Sequence, residues 1–187
     1  IIIFNDRKMN KIDVSLAEIF SEWVCKLNIE DIPEEVVNKL QLIVMDSFGL
    51  MVSAKKEPYI KSLINTLHDN GKCTLVGHNK KVSAFNASII NGTAIHGEDF
   101  DDTFEGTPVH VGAVMVPAIL SSVQAKKLDG ESFLKGLVVG SELICRLALV
   151  APTAVHRQGF HPTAIFGAFG SSIGVSSVLR NNVRQMS

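Results

Sequence analysis

Residues 162–179 read PTAIFGAFGSSIGVSSVL, a pattern typical of a buried helix. Pro162 suits the first turn of a helix, and no charged side chain follows before Arg180. Glycine and serine recur on several faces of this predicted helix, as in a central helix that packs closely against its neighbours. The uncharged run is shorter than the roughly 20 residues that cross a bilayer. It therefore predicts a buried helix and no membrane contact.

Helical periodicity extends towards the N-terminus from this segment. Ser15 and Glu18 form a capping-box pattern, and apolar residues then recur at helical spacing. The predicted helices cover about residues 15–28, 33–53, 58–70, 83–94, 112–127, 132–150 and 162–180, with a short strand at 73–76. No repeat or linker divides them, so the predicted class is mainly α, a helical-bundle-like domain over residues 15–187. Residues 1–14 are predicted to be an N-terminal tail, partly upstream of a natural start at Met9.

Composition and charge narrow the classes of partner. The chain is 46% apolar and 20% charged, which excludes disorder for most of its length. Lys and Arg number 18 against 19 Asp and Glu, so we expect no nucleic-acid partner and no anionic membrane partner. Cys25, Cys73 and Cys145 lack the spacing of a zinc site. They predict buried structural thiols and a reducing, cytoplasmic location.

Acid–base chemistry is concentrated between residues 91 and 117. If residues 91–103 are helical, His96, Asp99 and Thr103 share one face. Pro108 ends any such helix, so His110 lies on a loop before the next one. His110 would move a proton near neutral pH, Asp99 would orient an imidazole or accept a proton, and Thr103 would hydrogen-bond a substrate oxygen. The alternative is an acidic, solvated helix end with a capping role.

His161 is the second candidate. It immediately precedes Pro162, where the last predicted helix begins. Free N–H groups and a partial positive charge at a helix start favour a bound carboxylate, and an adjacent imidazole would help to hold it. A role as a simple helix cap is the alternative.

Three motifs together carry a resemblance to a known family. NGTAIHGEDFDDT at 91–103, HVGAVMVPAIL at 110–120 and GFHPTAIFGAFGSS at 159–172 strongly resemble the MmgE/PrpD family, and the similarity runs from about residue 16 to 179. The family includes dehydratases, decarboxylases and epimerases of small polycarboxylates. The three motifs in this order are specific, whereas any one alone is weak.

The resemblance implies an active site between an all-α domain and an α+β lid domain, without metal or organic cofactor, often in a homodimer. It places Asp99, Thr103, His110 and His161 at the site. The shared chemistry is removal of a proton next to a carboxylate, followed by loss of water or CO₂ or by reprotonation. Where the family often has His-Pro, this chain has His110-Val111. The chain is expected to be the N-terminal part of such an enzyme, without the lid and inactive alone.

Two other functions fit parts of the sequence. Residues 101–105 read DDTFE, which resembles the aspartate-rich motif that holds Mg²⁺ in helical diphosphate enzymes. That class needs a second acidic motif, and Glu131 and Glu142 are isolated. A non-catalytic, truncated helical module is the remaining alternative, and it would expose apolar surface and self-associate.

Overall fold

The structure, a computed structural model, describes residues 14–187, so most of the predicted tail lies outside the described residues. The nine α-helices of that part are α1 (Leu16–Lys26), α2 (Glu34–Ser53), α3 (Pro58–Asn65), α4 (Ala84–His96), α5 (Val111–Lys126), α6 (Gly130–Val150), α7 (Ala154–Arg157), α8 (Pro162–Val178) and α9 (Val183–Met186). Strands β1 (Cys73–Thr74) and β2 (Lys81–Val82) pair antiparallel, with Cys73 opposite Val82. The mainly α class is confirmed.

Local signals set most helix starts. Ser15 and Glu18 form the predicted capping box at the start of α1. The main boundary error concerns α3, which ends at Asn65 rather than near residue 70. Thr66 follows that end, and its hydroxyl donates to the Leu63 carbonyl at 2.7 Å. This bond satisfies a carbonyl of the last turn, which favours termination there.

Helices α6 and α8 form the most extensive helix–helix contact of the described residues. A Cβ atom on Gly140 would lie 2.8 Å from the Gly170 carbonyl oxygen, and one on Gly170 would lie 2.9 Å from the Gly140 oxygen. One turn further along, a Cβ on Gly174 would lie 2.8 Å from the Gly136 oxygen. The two backbones therefore touch directly, which only glycine permits. The prediction of a closely packed helix in the last motif is explained by these contacts.

Helix α5 lies at the centre of the bundle. It contacts α4, α6 and α8, and it also meets α2 and β1. Asn91 on α4 ties the small sheet to this centre, because its side chain accepts from the Val76 N–H at 3.1 Å and donates to the Thr74 carbonyl at 3.0 Å. Cys73 and Cys145 are buried as predicted, whereas Cys25 is exposed, so the expectation was wrong for Cys25.

A carboxylate from the preceding loop caps the start of α5. The Gly112 N–H donates to Asp102 Oδ1 at 2.8 Å. Burial raises the pKa of Asp102, while hydrogen bonds from the Gly112 and Val111 backbone partly oppose this rise. Asp102 thus fixes the end of the loop against the first turn of α5.

Within residues 14–187, the stretch Glu34–Lys56 is the one helix long and apolar enough to cross a membrane. This is weak evidence for a span, because core helices of soluble proteins pass the same test. Four apolar side chains of the stretch, Val36, Leu40, Met51 and Ala54, are buried in the core, whereas Leu42, Met45 and Val52 are exposed.

Replacing Gly170 by alanine should destabilise the fold by about 1–3 kcal/mol, because the new methyl group forces α6 and α8 apart. Gly49 on α2 is the matched control, since a Cβ there meets nothing within 4 Å. Gly49→Ala should instead stabilise by about 0.5–1 kcal/mol through helix propensity. Urea unfolding of both variants checks the pair. Equal stability of Gly170→Ala and wild type would contradict the close backbone contact.

The cap on α5 predicts a pH-dependent difference between two variants of Asp102. A folded-state pKa above the unfolded value gives stability that is present at low pH and lost as pH rises through the folded pKa. Asp102→Asn keeps the acceptor oxygen without the charge, so its stability relative to wild type should improve from acid to neutral pH. Asp102→Ala removes the acceptor and should cost about 0.5–2 kcal/mol. Urea unfolding at both pH values tests this, and an asparagine variant as unstable as alanine at neutral pH would refute it.

Candidate active site

The loop between α4 and α5 overturns one prediction. Residues 97–103 are not helical, so His96, Asp99 and Thr103 do not share a helix face. Helix α4 ends at His96, with Gly97 as its C-cap. Asp99 then takes a left-handed conformation with φ +57°, and its N–H donates to the His96 carbonyl at 3.1 Å. After this turn Phe100 is exposed, and the Asp101 side chain is buried in the bundle.

Hydrogen bonds of Glu98 and Asp102 anchor the two ends of the loop between α4 and α5. The Tyr59 hydroxyl on α3 donates to Glu98 Oε1 at 2.8 Å. Burial and the Glu98 carboxylate raise the pKa of Tyr59 to about 12, so it stays a donor at neutral pH. At the other end Asp102 caps α5. Between these anchors the Asp101 side chain is fully buried, at 0% exposure.

The starts of α5 and α8 lie side by side. His110 and His161 are the N-cap residues of the two helices, and neither side chain makes a capping hydrogen bond. The His110 N–H donates to Thr163 Oγ1 at 3.0 Å, which joins the two helix starts. Both imidazoles are therefore free to face the loop.

The Asp101 carboxylate lies beside the imidazoles of His96 and His110, and the His96 ring contacts that of His161. His96 Nδ1 lies 3.0 Å from Asp101 Oδ2 and 3.1 Å from Oδ1. His110 Nδ1 lies 3.3 Å from Asp101 Oδ1, within ion-pair distance but at an angle too poor for a hydrogen bond. His96 Nε2 lies 3.2 Å from His161 Nε2. We name His96, Asp101, His110 and His161 the histidine cluster.

The side chains of the histidine cluster differ in their exposure to solvent. The His110 side chain is 13% exposed, that of His96 33%, and His161 is open to solvent. Burial and the neighbouring His96 and His110 lower the pKa of His161, so it favours the neutral form. Beside His96 and His161 lies an open cavity of about 340 Å³, lined also by the helix residues Gly92, Thr93, Ala113, Val114 and Ala164.

Such a cluster can accept and release protons at the edge of this cavity. The ligand atoms of His96, Asp99, Asp101 and His110 lie within 4.8 Å of one another, a spacing that would also suit a divalent ion. The same His96 and Asp101 atoms already satisfy each other through a hydrogen bond. The arrangement can therefore pass protons between these groups or hold a divalent ion.

Three of the four predicted site residues lie together. His110 and His161 belong to the cluster, with ring centroids 6.4 Å apart, and Asp99 Oδ1 lies 4.0 Å from His110 Nε2 at the exposed rim. Thr103 is exposed and lines a different cavity, of about 610 Å³, together with Asp102. The structure does not bring Thr103 to the histidines.

Asp101 was not among the predicted site residues. His96 was predicted to share a helix face with Asp99 and Thr103, whereas it is the last residue of α4 and hydrogen-bonds Asp101. The sequence shows Asp101 only as one acid among several, because its burial depends on the turn at Asp99. The DDTFE alternative gains no support, since Asp101 is paired with the histidines, whereas Asp102, which caps α5, and Glu105 line the other cavity.

Comparisons with known proteins identify the family of the chain. The family model of the MmgE/PrpD N-terminal domain matches residues 18–187. A cis-aconitate decarboxylase-like protein of Aspergillus oryzae is 25% identical over 168 residues, covering 84% of this chain and 35% of that protein. Cis-aconitate decarboxylase of Aspergillus terreus is 22% identical, covering 87% and 35%, and that of Homo sapiens 26%, covering 88% and 36%.

The chain thus spans about a third of the length of these curated relatives. The family match instead covers almost all of the described residues, including the whole histidine cluster. The chain belongs to the MmgE/PrpD family, and its residues 18–187 match the family's N-terminal domain.

Proposed function

We propose that this chain supplies the acid–base part of a lyase site for a small polycarboxylate such as cis-aconitate. The observation that carries the proposal is the histidine cluster, in which a buried carboxylate lies beside His96 and His110, while the His96 and His161 rings line an open cavity. The names of the relatives supply the substrate class, since they are cis-aconitate decarboxylases.

The start of α8 is suited to a substrate carboxylate. His161 makes no capping bond to the first turn of this 17-residue helix. Pro162 has no N–H and the Ala164 N–H already donates to the His161 carbonyl at 3.1 Å, so it is mainly the positive end of the helix dipole that favours an anion there. By contrast, the start of α5 is occupied by the Asp102 carboxylate. A polycarboxylate would therefore place one carboxylate at α8, with His161 beside it.

The imidazoles would then carry the proton steps. In a decarboxylation, the bond between a carboxylate carbon and its neighbour breaks, CO₂ leaves, and the remaining electron pair takes a proton from an acid. A protonated His161 or His110 can supply that proton and recover it later from water. In a dehydration or epimerisation, the same groups would first remove a proton next to a carboxylate.

Asp99 and Thr103 take different parts in this proposal. Asp99, 82% exposed at the rim, can orient the His110 imidazole across 4.0 Å. Thr103 is proposed to bind substrate from the neighbouring cavity, which requires a substrate that reaches past the loop. Support for Thr103 comes only from the motif that it shares with the family.

Polycarboxylates should stabilise the chain against heat. We expect cis-aconitate and citrate to raise Tm, because a ligand that binds only the folded state shifts unfolding, whereas acetate should have little effect. His161→Gln should bind about tenfold more weakly, as expected from losing one charge-assisted hydrogen bond. His68→Gln is the matched control, because His68 is exposed on the segment after α3. Calorimetric titration gives the affinities.

A folded chain that binds none of these ligands would refute the proposal, as would a His68 variant as impaired as the His161 variant. The reaction type has its own test. NMR of ¹³C-labelled cis-aconitate with the enzyme distinguishes loss of CO₂ from reactions that leave the carbon skeleton intact.

Binding of a polycarboxylate should strengthen as pH falls. The pKa of His161 lies below its ordinary 6.5, so the imidazole becomes a cation only in mildly acidic solution. The cation attracts the carboxylate more strongly than the neutral ring does. Calorimetric titration across this pH range should show rising affinity for wild type and a weaker rise for His161→Gln. An affinity independent of pH in wild type would contradict the role of His161.

A further inference from the structure

A continuous chain of contacts leads from the protein interior to the cavity. It runs from the Asp101 carboxylate through His96 Nδ1 at 3.0 Å, across the ring, and from His96 Nε2 to His161 Nε2 at 3.2 Å. Exposure rises along it, from the fully buried Asp101 through the one-third-exposed His96 to the solvent-open His161. The His96 and His161 rings are nearly parallel, with an interplanar angle of 20°.

The contacts determine where the protons lie. An ionised carboxylate only accepts hydrogen bonds, so His96 Nδ1 carries the hydrogen that faces Asp101. In neutral His96 the Nε2 atom is then an acceptor. At 3.2 Å, one of two facing ring nitrogens must donate, so His161 Nε2 carries the second hydrogen. His161 Nδ1 remains as its unprotonated nitrogen, and His161 makes no capping bond that would occupy it.

We propose that Asp101 and His96 are positioning residues that fix the tautomer of His161 and share the proton that it takes up. This inference rests on the proposed function only for the identity of the reaction. The arrangement is that of a carboxylate that orients an imidazole and stabilises the charge which forms on it, extended by one further ring.

A proton taken up by His161 can pass along this series of contacts with every hydrogen accounted for. When His161 Nδ1 accepts a proton from substrate or water, the ring becomes a cation. Its Nε2 hydrogen can then pass to His96 Nε2, so that His161 is again neutral and His96 carries the charge. His96 Nδ1–H stays bonded to ionised Asp101, which places the positive charge beside a buried negative one. Release of the proton reverses each step.

The charged groups around His161 predict opposite effects for the two positioning residues. His96, His110 and His156 each lower the pKa of His161, in addition to burial, and Asp101 raises it. Removing the Asp101 charge should therefore lower the pKa of His161 further. Removing the His96 imidazole should raise it, because His96 becomes a cation next to His161 once it has taken up the shared proton, and this cation disappears in the variant. Simple loosening of the fold would move both variants in the same direction, towards the ordinary value.

The experiment is NMR of the ¹⁵N-labelled full chain, with imidazole signals assigned from single His→Gln variants. At a pH where the rings are neutral, wild-type His96 should carry its hydrogen on Nδ1 and His161 on Nε2. In a pH titration we expect Asp101→Asn to lower the pKa of His161 and His96→Gln to raise it, each by about half a unit or more. His68→Gln should leave it unchanged.

The opposite His96 tautomer in wild type, or shifts of His161 in the same direction in both variants, would overturn the inference. The wild-type tautomers need no variant, so a failure of Asp101→Asn to fold leaves the test intact. Calorimetric titration with cis-aconitate on the same samples separates the two proposals. If the tautomers are as expected and the pKa of His161 shifts in opposite directions in the two variants, but cis-aconitate does not bind, the roles of Asp101 and His96 are supported and the proposed function is refuted. If cis-aconitate binds but the tautomers or the pKa shifts differ from those expected, the proposed function is supported and the roles of Asp101 and His96 are refuted.

Discussion

The direct backbone contact between α6 and α8 is the constraint on which the rest of the structure depends. Gly140 and Gly170 bring the two helices so close that a methyl group on either would meet a carbonyl oxygen of the other. Because α8 is held in this way, its N-terminus has a defined position beside α5. Helix α5 packs on both α6 and α8, and His110 and His161 stand at the two helix starts. The spacing of these two histidines is therefore a consequence of glycine packing elsewhere on α8.

Burial of Asp101 is the second constraint, and it gives the site its chemistry. A buried carboxylate needs a compensating partner, and the groups within ion-pair distance among the described residues are the imidazoles of His96 and His110. Imidazoles change charge near neutral pH, so this compensation is adjustable, unlike that from lysine or arginine. The loop achieves the burial through the left-handed turn at Asp99 and the anchors at Glu98 and Asp102.

Family membership and geometry support each other from different directions. The family match rests on residues 18–187 as a whole, while the relatives share only 22–26% identity with the chain. The chain spans about a third of each relative, and the proposed reaction is thus a hypothesis about the part of the site that these residues build.

Sequence patterns alone predict the helical class, the order of the main helices, the capping box at Ser15, and the positions of His110 and His161 just before two helices. These features depend on local periodicity and on residues adjacent in the chain, which a sequence displays directly. Only the tertiary structure decided that residues 97–103 form a turn, that Asp101 is the buried acid, that His96 links it to His161, and that Thr103 lies in another cavity. Those outcomes depend on which of several similar acids the fold can bury, and that choice is made by contacts between segments far apart in the chain.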